Sequence, residues 1–165
     1  MPRTKIPGFE IREAAPSDVP LILSFIKGIA DYEKLADEVV ATEDGLREHL
    51  FALRPAAEVC LGFLDGEAAA FAVFFHNFST FLGRPGLHLE DLYVKPEFRG
   101  KGIGSAMLSH VARIAVERKC GRFEWAVLDW NEPAIELYKK LGARAMSEWT
   151  IFRMTGDAIR NLAQQ

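Results

Sequence analysis

The sequence has little cysteine and no long apolar run. Its two cysteines, Cys60 and Cys120, lie far apart without the spacing of metal ligands, which excludes a disulfide scaffold and predicts two reduced thiols. The longest apolar stretch is far too short to span a bilayer. Residues 1–8 carry basic side chains but no apolar core, so we expect no signal peptide in this segment. These features predict a cytoplasmic protein without a membrane partner.

The charge balance shows no large excess of either sign. Twenty Lys and Arg residues stand against 23 Asp and Glu residues, and the net charge of −3 gives no basic surface of the kind that nucleic acid requires. A mildly acidic protein suits a cationic small molecule instead. The four histidines form no ligand cluster, so we expect no metal site.

The apolar content of 49% and the 165-residue length are typical of a single globular domain over residues 1–165, with its core in about 9–154. Hydrophobic periodicity and capping residues predict a strand, two helices, three strands, a helix, a strand, a helix and a strand. The predicted strands are 9–12, 59–64, 68–75, 87–94, 123–128 and 149–154. The predicted helices are 19–29, one capped by Thr42, 105–118 and 131–142. This order predicts an α/β fold with one sheet between helices.

A glycine-rich turn, Arg99–Gly104, separates the fourth predicted strand from the helix that follows it. The first N–H groups of a helix have no internal partner, and they can bind a phosphate. Gly100, Gly102 and Gly104 let the backbone approach such a group closely. The spacing fits neither a Walker loop nor the dinucleotide fingerprint. A plain glycine turn before a helix is the alternative.

Two flanking segments give this turn a family context. Leu89–Phe98 precedes it, and Asn131–Gly142 follows later. Together the three segments resemble the GNAT superfamily of acetyl-CoA-dependent N-acetyltransferases, most closely the diamine (spermidine/spermine) acetyltransferases, over Phe9–Met154. The resemblance implies a mixed, mostly antiparallel central sheet with helices on both faces. It also implies acetyl-CoA as cosubstrate and a homodimer.

Cofactor contacts follow from the turn and from the resemblance. The turn would hold the pyrophosphate through its backbone, with Arg99 or Lys101 adding charge. The resemblance places the pantetheine arm along the strand and a second cofactor segment at the start of the last helix, where Asn131 is also a natural cap. The predicted cofactor residues are Leu92, Tyr93, Val94, Arg99, Gly100, Lys101, Gly102, Ile103, Gly104, Ser105, Asn131, Glu132, Pro133 and Ala134.

Glu90 and Tyr138 are the predicted catalytic residues. Alternation along 87–94 places Glu90 on the face opposite Leu89, and a carboxylate desolvated in an apolar strand gains a higher pKa. By the same alternation Asp91 points to the other face and is interpreted as structural. The resemblance makes Glu90 a base acting through water and Tyr138 an acid for the leaving thiolate. A solvated glutamate and a half-buried core tyrosine are the alternatives.

The amine pocket is predicted from Tyr32 and Glu33, which resemble a family motif at the end of the first helix, together with Glu90 and Glu148. A solvated acidic helix end is the alternative, and the match at Glu148 depends on the position of a gap. We therefore predict acetyl transfer to a primary amine of a small di- or polyamine by direct attack in a ternary complex. Lysine-like amino acids or another small amine are the alternative substrates. A noncatalytic acyl-CoA-binding module is the alternative outside enzymes.

Overall fold

The computed structural model describes residues 6–165, which divide into two compact units. The first runs to Ala126, and the second comprises Val127–Gln165. The first contains β1 (Phe9–Glu13), α1 (Val19–Tyr32), α2 (Glu43–Leu50), β2 (Glu58–Leu64), β3 (Glu67–Ser79), β4 (Arg84–Val94), α3 (Ile103–Glu117) and β5 (Phe123–Trp125). The second contains α4 (Glu132–Lys140) and α5 (Asp157–Ala163).

The first unit is built on one five-stranded sheet in the order β1-β2-β3-β4-β5. The first four strands pair antiparallel, whereas β5 pairs parallel to β4. A parallel neighbour requires a crossover, and α3 supplies it. The mixed, mostly antiparallel sheet predicted above is confirmed.

Helices cover both faces of this sheet. On one face, Ile22 and Phe25 of α1 pack in a buried cluster with Leu61, Phe71 and Val73. The rings of Phe25 and Phe71 stack with centroids 5.1 Å apart.

On the opposite face, small residues make room for α3. Gly62 pairs with Ala70, which precedes Phe71 in β3. Because neighbouring residues of a strand face opposite sides, Gly62 and Ala70 face away from α1. A Cβ at Gly62 would lie 3.0 Å from the sulfur of the buried Met107, so α3 packs directly over this glycine.

Two local signals are confirmed. Asp65 and Gly66 both have positive φ, 50° and 84°, and join β2 to β3 in the tight turn that an Asp-Gly pair favours. Thr42 caps α2, and its hydroxyl accepts the Gly45 N–H at 3.1 Å.

The hairpin of β3 and β4 is longer than predicted. The strands reach Ser79 and Arg84, so four residues separate them, whereas the predicted strands 68–75 and 87–94 are eleven residues apart. Gly83 and Pro85 favour a loop, but they lie at the hairpin end, outside the part of β4 that pairs with β5, where a turn glycine and a proline are tolerated.

The C-terminal predictions are partly wrong. The strand expected over 123–128 ends at Trp125, and residues 149–154 form no strand. Helix α5 lies beyond the last element that the sequence predicts. Trp149 and Phe152 are exposed, so the apolar pattern of 149–154 does not reflect burial in this chain. A strand needs a pairing partner, and local composition does not supply one.

Candidate active site

The glycine turn has the geometry of an anion site. Gly100 and Gly102 have φ of +75° and +79°, and Gly102 is the left-handed residue at which α3 begins. The first helical hydrogen bond runs from Ala106 N–H to the Gly102 carbonyl at 3.0 Å. The N–H groups of the three residues between them, Ile103 to Ser105, therefore have no acceptor within the helix.

The space above this turn fits an anionic group. A Cβ at Gly100 would meet no atom within 4 Å, and one at Gly104 would lie 3.7 Å from a Val94 methyl group. An open surface lined by helix N-terminal N–H groups is the arrangement that binds phosphates. The residues present therefore fit the pyrophosphate of the predicted cosubstrate.

The two cations of the turn contact aromatic rings. The Arg99 Nε donates to the Val94 carbonyl at 3.0 Å. Its guanidinium carbon lies 4.9 Å from the centre of the Tyr32 ring and 5.6 Å from that of Tyr93. The Lys101 ammonium lies 5.4 Å from the centre of the Phe98 ring.

A β-bulge in β4 changes which side chains share a face. Leu89 pairs with Phe74 and Asp91 pairs with Val73, so Glu90 is the extra residue between them. Directly paired residues share a face. Asp91 therefore lies on the face of His88, which pairs with Phe75, and not on that of Leu89. The predicted alternation is wrong, and so is the orientation expected for Asp91. The extra residue at the bulge shifts the alternation of the side chains after it by one position.

Glu90 is solvated, contrary to the prediction that its strand buries it. Its side chain is 58% exposed, and one carboxylate oxygen lies 3.6 Å from His88 Nε2. The desolvation expected for a glutamate in an apolar strand is absent, because the bulge places this residue outside the regular pleat. Water reaches the carboxylate directly.

Asp91 is the shielded carboxylate of the pair. Burial is the main cause that raises its pKa to about 6, and the negative charges of Glu90 and Glu33 raise it further. The signal in the sequence was the Glu90-Asp91 pair itself. Neighbouring side chains of a strand point to opposite faces of the sheet, so one of two adjacent carboxylates in a half-buried strand must face the apolar side.

The end of α1 brings a third carboxylate to this region. Tyr32 is the last residue of α1, and Glu33 follows it. Burial raises the pKa of Glu33. Because Glu33 and Glu90 both act on the charge of Asp91, the structure brings together two predicted pocket residues and one that the sequence analysis set aside.

The remaining predicted residues belong to the second unit. Asn131 precedes α4, and its carbonyl accepts the Ile135 N–H at 3.1 Å. Glu132 and Pro133 are exposed in the first turn, and Ala134 is half-buried. Tyr138 is half-buried on the same helix, whereas Glu148 is exposed in a turn beyond it.

Neither cysteine is built as a nucleophile. Cys60 and Cys120 form no disulfide. Burial raises the pKa of the Cys60 thiol to about 12, which keeps it protonated. Within residues 6–165, no group of His, Cys, Asp or Glu side chains is arranged to hold a metal ion. In that same range, no helix is long and apolar enough to cross a membrane.

Comparison with known proteins decides the family. Residues 26–143 match the model of the acetyltransferase (GNAT) family. The chain belongs to this family. The match includes the β4 bulge, the glycine turn and α4, and it confirms the family inferred from the motifs. Members of the family are acetyltransferases that use acetyl-CoA as cosubstrate.

Several relatives carry substrate names. A pig thialysine N-epsilon-acetyltransferase is 43% identical, covering 93% of this chain and 96% of that protein. An Arabidopsis thaliana L-ornithine N5-acetyltransferase is 33% identical, covering 91% and 86%. A human spermidine/spermine N(1)-acetyltransferase-like protein is 28% identical, covering 99% of this chain but 25% of that protein. A solved structure of a Vibrio cholerae integron cassette protein superposes with a TM-score of 0.80 at 26% identity, covering 96% and 99%.

Proposed function

We propose that this acetyltransferase moves the acetyl group of acetyl-CoA to the terminal primary amine of a small, lysine-like amino acid. The observation that carries the proposal is a set of three carboxylates: Glu90 and Asp91 lie on the strand that leads into the glycine turn, and Glu33, at the end of α1, acts with Glu90 on the charge of Asp91. Negative charge next to an anion-binding turn suits a cationic acceptor beside a phosphorylated donor. The region 1–165 is proposed to act as one domain in the cytoplasm.

The glycine turn is proposed to bind the pyrophosphate. The N–H groups of Ile103, Gly104 and Ser105 and the open surface at Gly100 support this role. Lys101 would add charge there. The backbone of Leu92, Tyr93 and Val94 would pair with the pantetheine arm, and the start of α4, Asn131 to Ala134, would complete the cofactor site.

Glu90 is proposed as the base. Because it is exposed, it would take the amine proton through a water molecule and not by direct contact. The amine nitrogen then forms a bond to the thioester carbon, the carbon–sulfur bond breaks, and the thiolate leaves. Tyr138 would donate its phenolic proton to that thiolate. No covalent enzyme intermediate is needed, which agrees with the protonated Cys60.

A lysine-like amino acid is favoured over a polyamine, the substrate first predicted. Relatives named for thialysine and ornithine are 43% and 33% identical, against 28% for the polyamine-named relative. Both substrate classes carry a distal ammonium group with which Glu33 could form an ion pair. Di- or polyamines are therefore the second candidate, and Glu148 remains a proposed contact for either.

A panel of amines with acetyl-CoA tests this function. Release of CoA should require added amine, and kcat/KM should be higher for thialysine, lysine or ornithine than for spermidine. Higher kcat/KM for spermidine would establish the polyamine alternative. Tight acetyl-CoA binding without amine-dependent CoA release would establish a noncatalytic acyl-CoA-binding module. Tyr138→Phe should lower kcat, because it removes only the hydroxyl that is proposed to donate the proton; a lower melting temperature with an unchanged kcat would make Tyr138 structural.

A homodimer is proposed as the assembled state. The strand predicted over 149–154 would have offered an edge for pairing with a second copy, but these residues form no strand. The remaining support is the apolar side chains exposed along 149–154, namely Trp149, Ile151 and Phe152, which are 73%, 78% and 93% exposed. Exposed apolar clusters of this kind indicate an interaction surface. Light scattering that gives a monomer mass at micromolar concentration would contradict the dimer.

A further inference from the structure

Arg99 is held in a built cluster at the junction of β4, the glycine turn and α1. Its Nε donates to the last carbonyl of β4, that of Val94, and its guanidinium faces the rings of Tyr93 and Tyr32. The turn that precedes it is anchored by the buried Phe98. A planar guanidinium stacked on aromatic rings is one of the arrangements that distinguish arginine from lysine.

The helix is shaped to accept this cluster. A Cβ at Gly28 of α1 would lie 2.8 Å from the Tyr93 hydroxyl and ring, so only glycine allows the ring to pack there. Phe25 contacts the same ring edge-on, with centroids 6.2 Å apart. Tyr93 is therefore fixed against α1, and the Arg99 guanidinium lies close to both this ring and the ring of Tyr32.

The charge of Arg99 is not used in an ion pair within the described part of the chain. Across residues 6–165, no carboxylate oxygen lies within 4.0 Å of its guanidinium. Replacing Arg99 therefore does not leave a carboxylate without its partner, which makes the effect of a substitution simple to interpret.

We infer that Arg99 is a positioning residue for the amine pocket, which holds the Tyr32 ring, and through it Glu33, against β4 instead of binding the phosphates of acetyl-CoA. The inference rests on the proposed function, because Glu33 is proposed to pair the distal ammonium of the amine. It assigns the two cations of the turn to different substrates, Arg99 to the amine side and Lys101 to the phosphate side.

Arg99→Gln and Lys101→Gln form the test pair. Arg99→Gln should raise the KM for lysine about tenfold by releasing two cation–ring contacts. It should change the Kd of acetyl-CoA, measured by calorimetry, less than about twofold, since Arg99 is not assigned a phosphate contact. Lys101→Gln should raise the Kd of acetyl-CoA and leave the KM for lysine nearly unchanged. Arg99→Lys should not restore the KM for lysine, because an ammonium cannot stack on both rings. A phosphate ligand, in contrast, would be rescued by lysine.

A readout independent of turnover separates this inference from the proposed function. The ring NMR signals of Tyr32 should shift in both Arg99 variants at an unchanged melting temperature. Failure of the wild-type protein to acetylate any amine would contradict the proposed function, and the Tyr32 signals would still decide the role of Arg99. Unmoved Tyr32 signals, or a tenfold rise in the acetyl-CoA Kd with an unchanged KM for lysine, would overturn the inference.

Discussion

The glycine turn and the carboxylates around the β4 bulge lie only a few residues apart in the chain, but different forces determine their structures. The turn is set by backbone conformation, through two glycines of positive φ and the free N–H groups of a helix start. The carboxylates are set by strand register, because one inserted residue decides that Glu90 is exposed and Asp91 is shielded. A backbone site can be inferred from a short motif, whereas a register-dependent site cannot.

The difference also separates two kinds of electrostatic environment. The turn offers N–H dipoles at an open surface, where binding an anion requires little rearrangement. The negative charges of Glu90 and Glu33 add to the effect of burial in raising the pKa of Asp91, and the fold holds the three side chains together. The first region is suited to hold a cosubstrate, and the second to respond to a cation. Substitutions that act on only one region test this division.

Glu90→Gln should have the largest effect. The side chain keeps its shape but loses the base, so kcat/KM for lysine should fall about a hundred- to ten-thousand-fold. The acetyl-CoA Kd should stay the same, because the glycine turn is untouched. The control is Glu97→Gln, an exposed glutamate beside the turn. A rate within threefold of wild type would mean that solvent alone accepts the proton.

Glu33→Gln should weaken amine binding selectively. A charge-assisted pair contributes about 1.5–3 kcal/mol, so the KM for lysine should rise about ten- to a hundred-fold. A monoamine of equal length has no distal ammonium and should lose little. Glu48→Gln on α2 removes the same charge from an exposed position and serves as control. An equal rise in KM for both amines would mean that Glu33 has only a structural role.

Gly104→Ala should weaken only the cosubstrate. The empty protein accepts the methyl group, which would lie 3.7 Å from Val94, an ordinary contact. The same methyl would obstruct the approach of a pyrophosphate, so the acetyl-CoA Kd should rise about tenfold, or about 1.4 kcal/mol. Gly45→Ala, in the first turn of α2, is the matched control. Calorimetry that finds equal Kd values for both variants would remove the turn from the cofactor site.

Asp91→Asn should have the smallest effect on activity, and its main effect concerns stability. Because the pKa of Asp91 is raised to about 6, the folded state holds its proton more tightly than the unfolded state. Wild-type stability should therefore fall as the pH rises from about 4 to about 6, by about 3 kcal/mol. The variant has no ionisable group at this position, so its stability should not fall in this way as the pH rises. Its melting temperature should exceed that of wild type at pH 8 but not below pH 4; an equal difference at both pH values would contradict the shielded carboxylate.

The fold was largely predictable because its signals are local. Asp65-Gly66 and Thr42 have the structures their chemistry favours, and the turn at Gly102 begins a helix as expected. Residues 149–154 were not predictable, since a strand depends on a partner that composition does not specify. The orientation of Asp91 failed for a related reason, because a bulge is a property of two paired strands and not of either alone. The cluster around Arg99 required the tertiary approach of α1 to β4.

A crystal structure with CoA and lysine bound would test the division between the two regions most directly. The account predicts pyrophosphate oxygens at about 3 Å from the N–H groups of Gly104 and Ser105, and the distal ammonium of lysine beside Glu33. The reacting amine should lie within reach of a water molecule on Glu90. Phosphates bound away from the glycine turn, or an amine bound away from the carboxylates of β4 and α1, would contradict it.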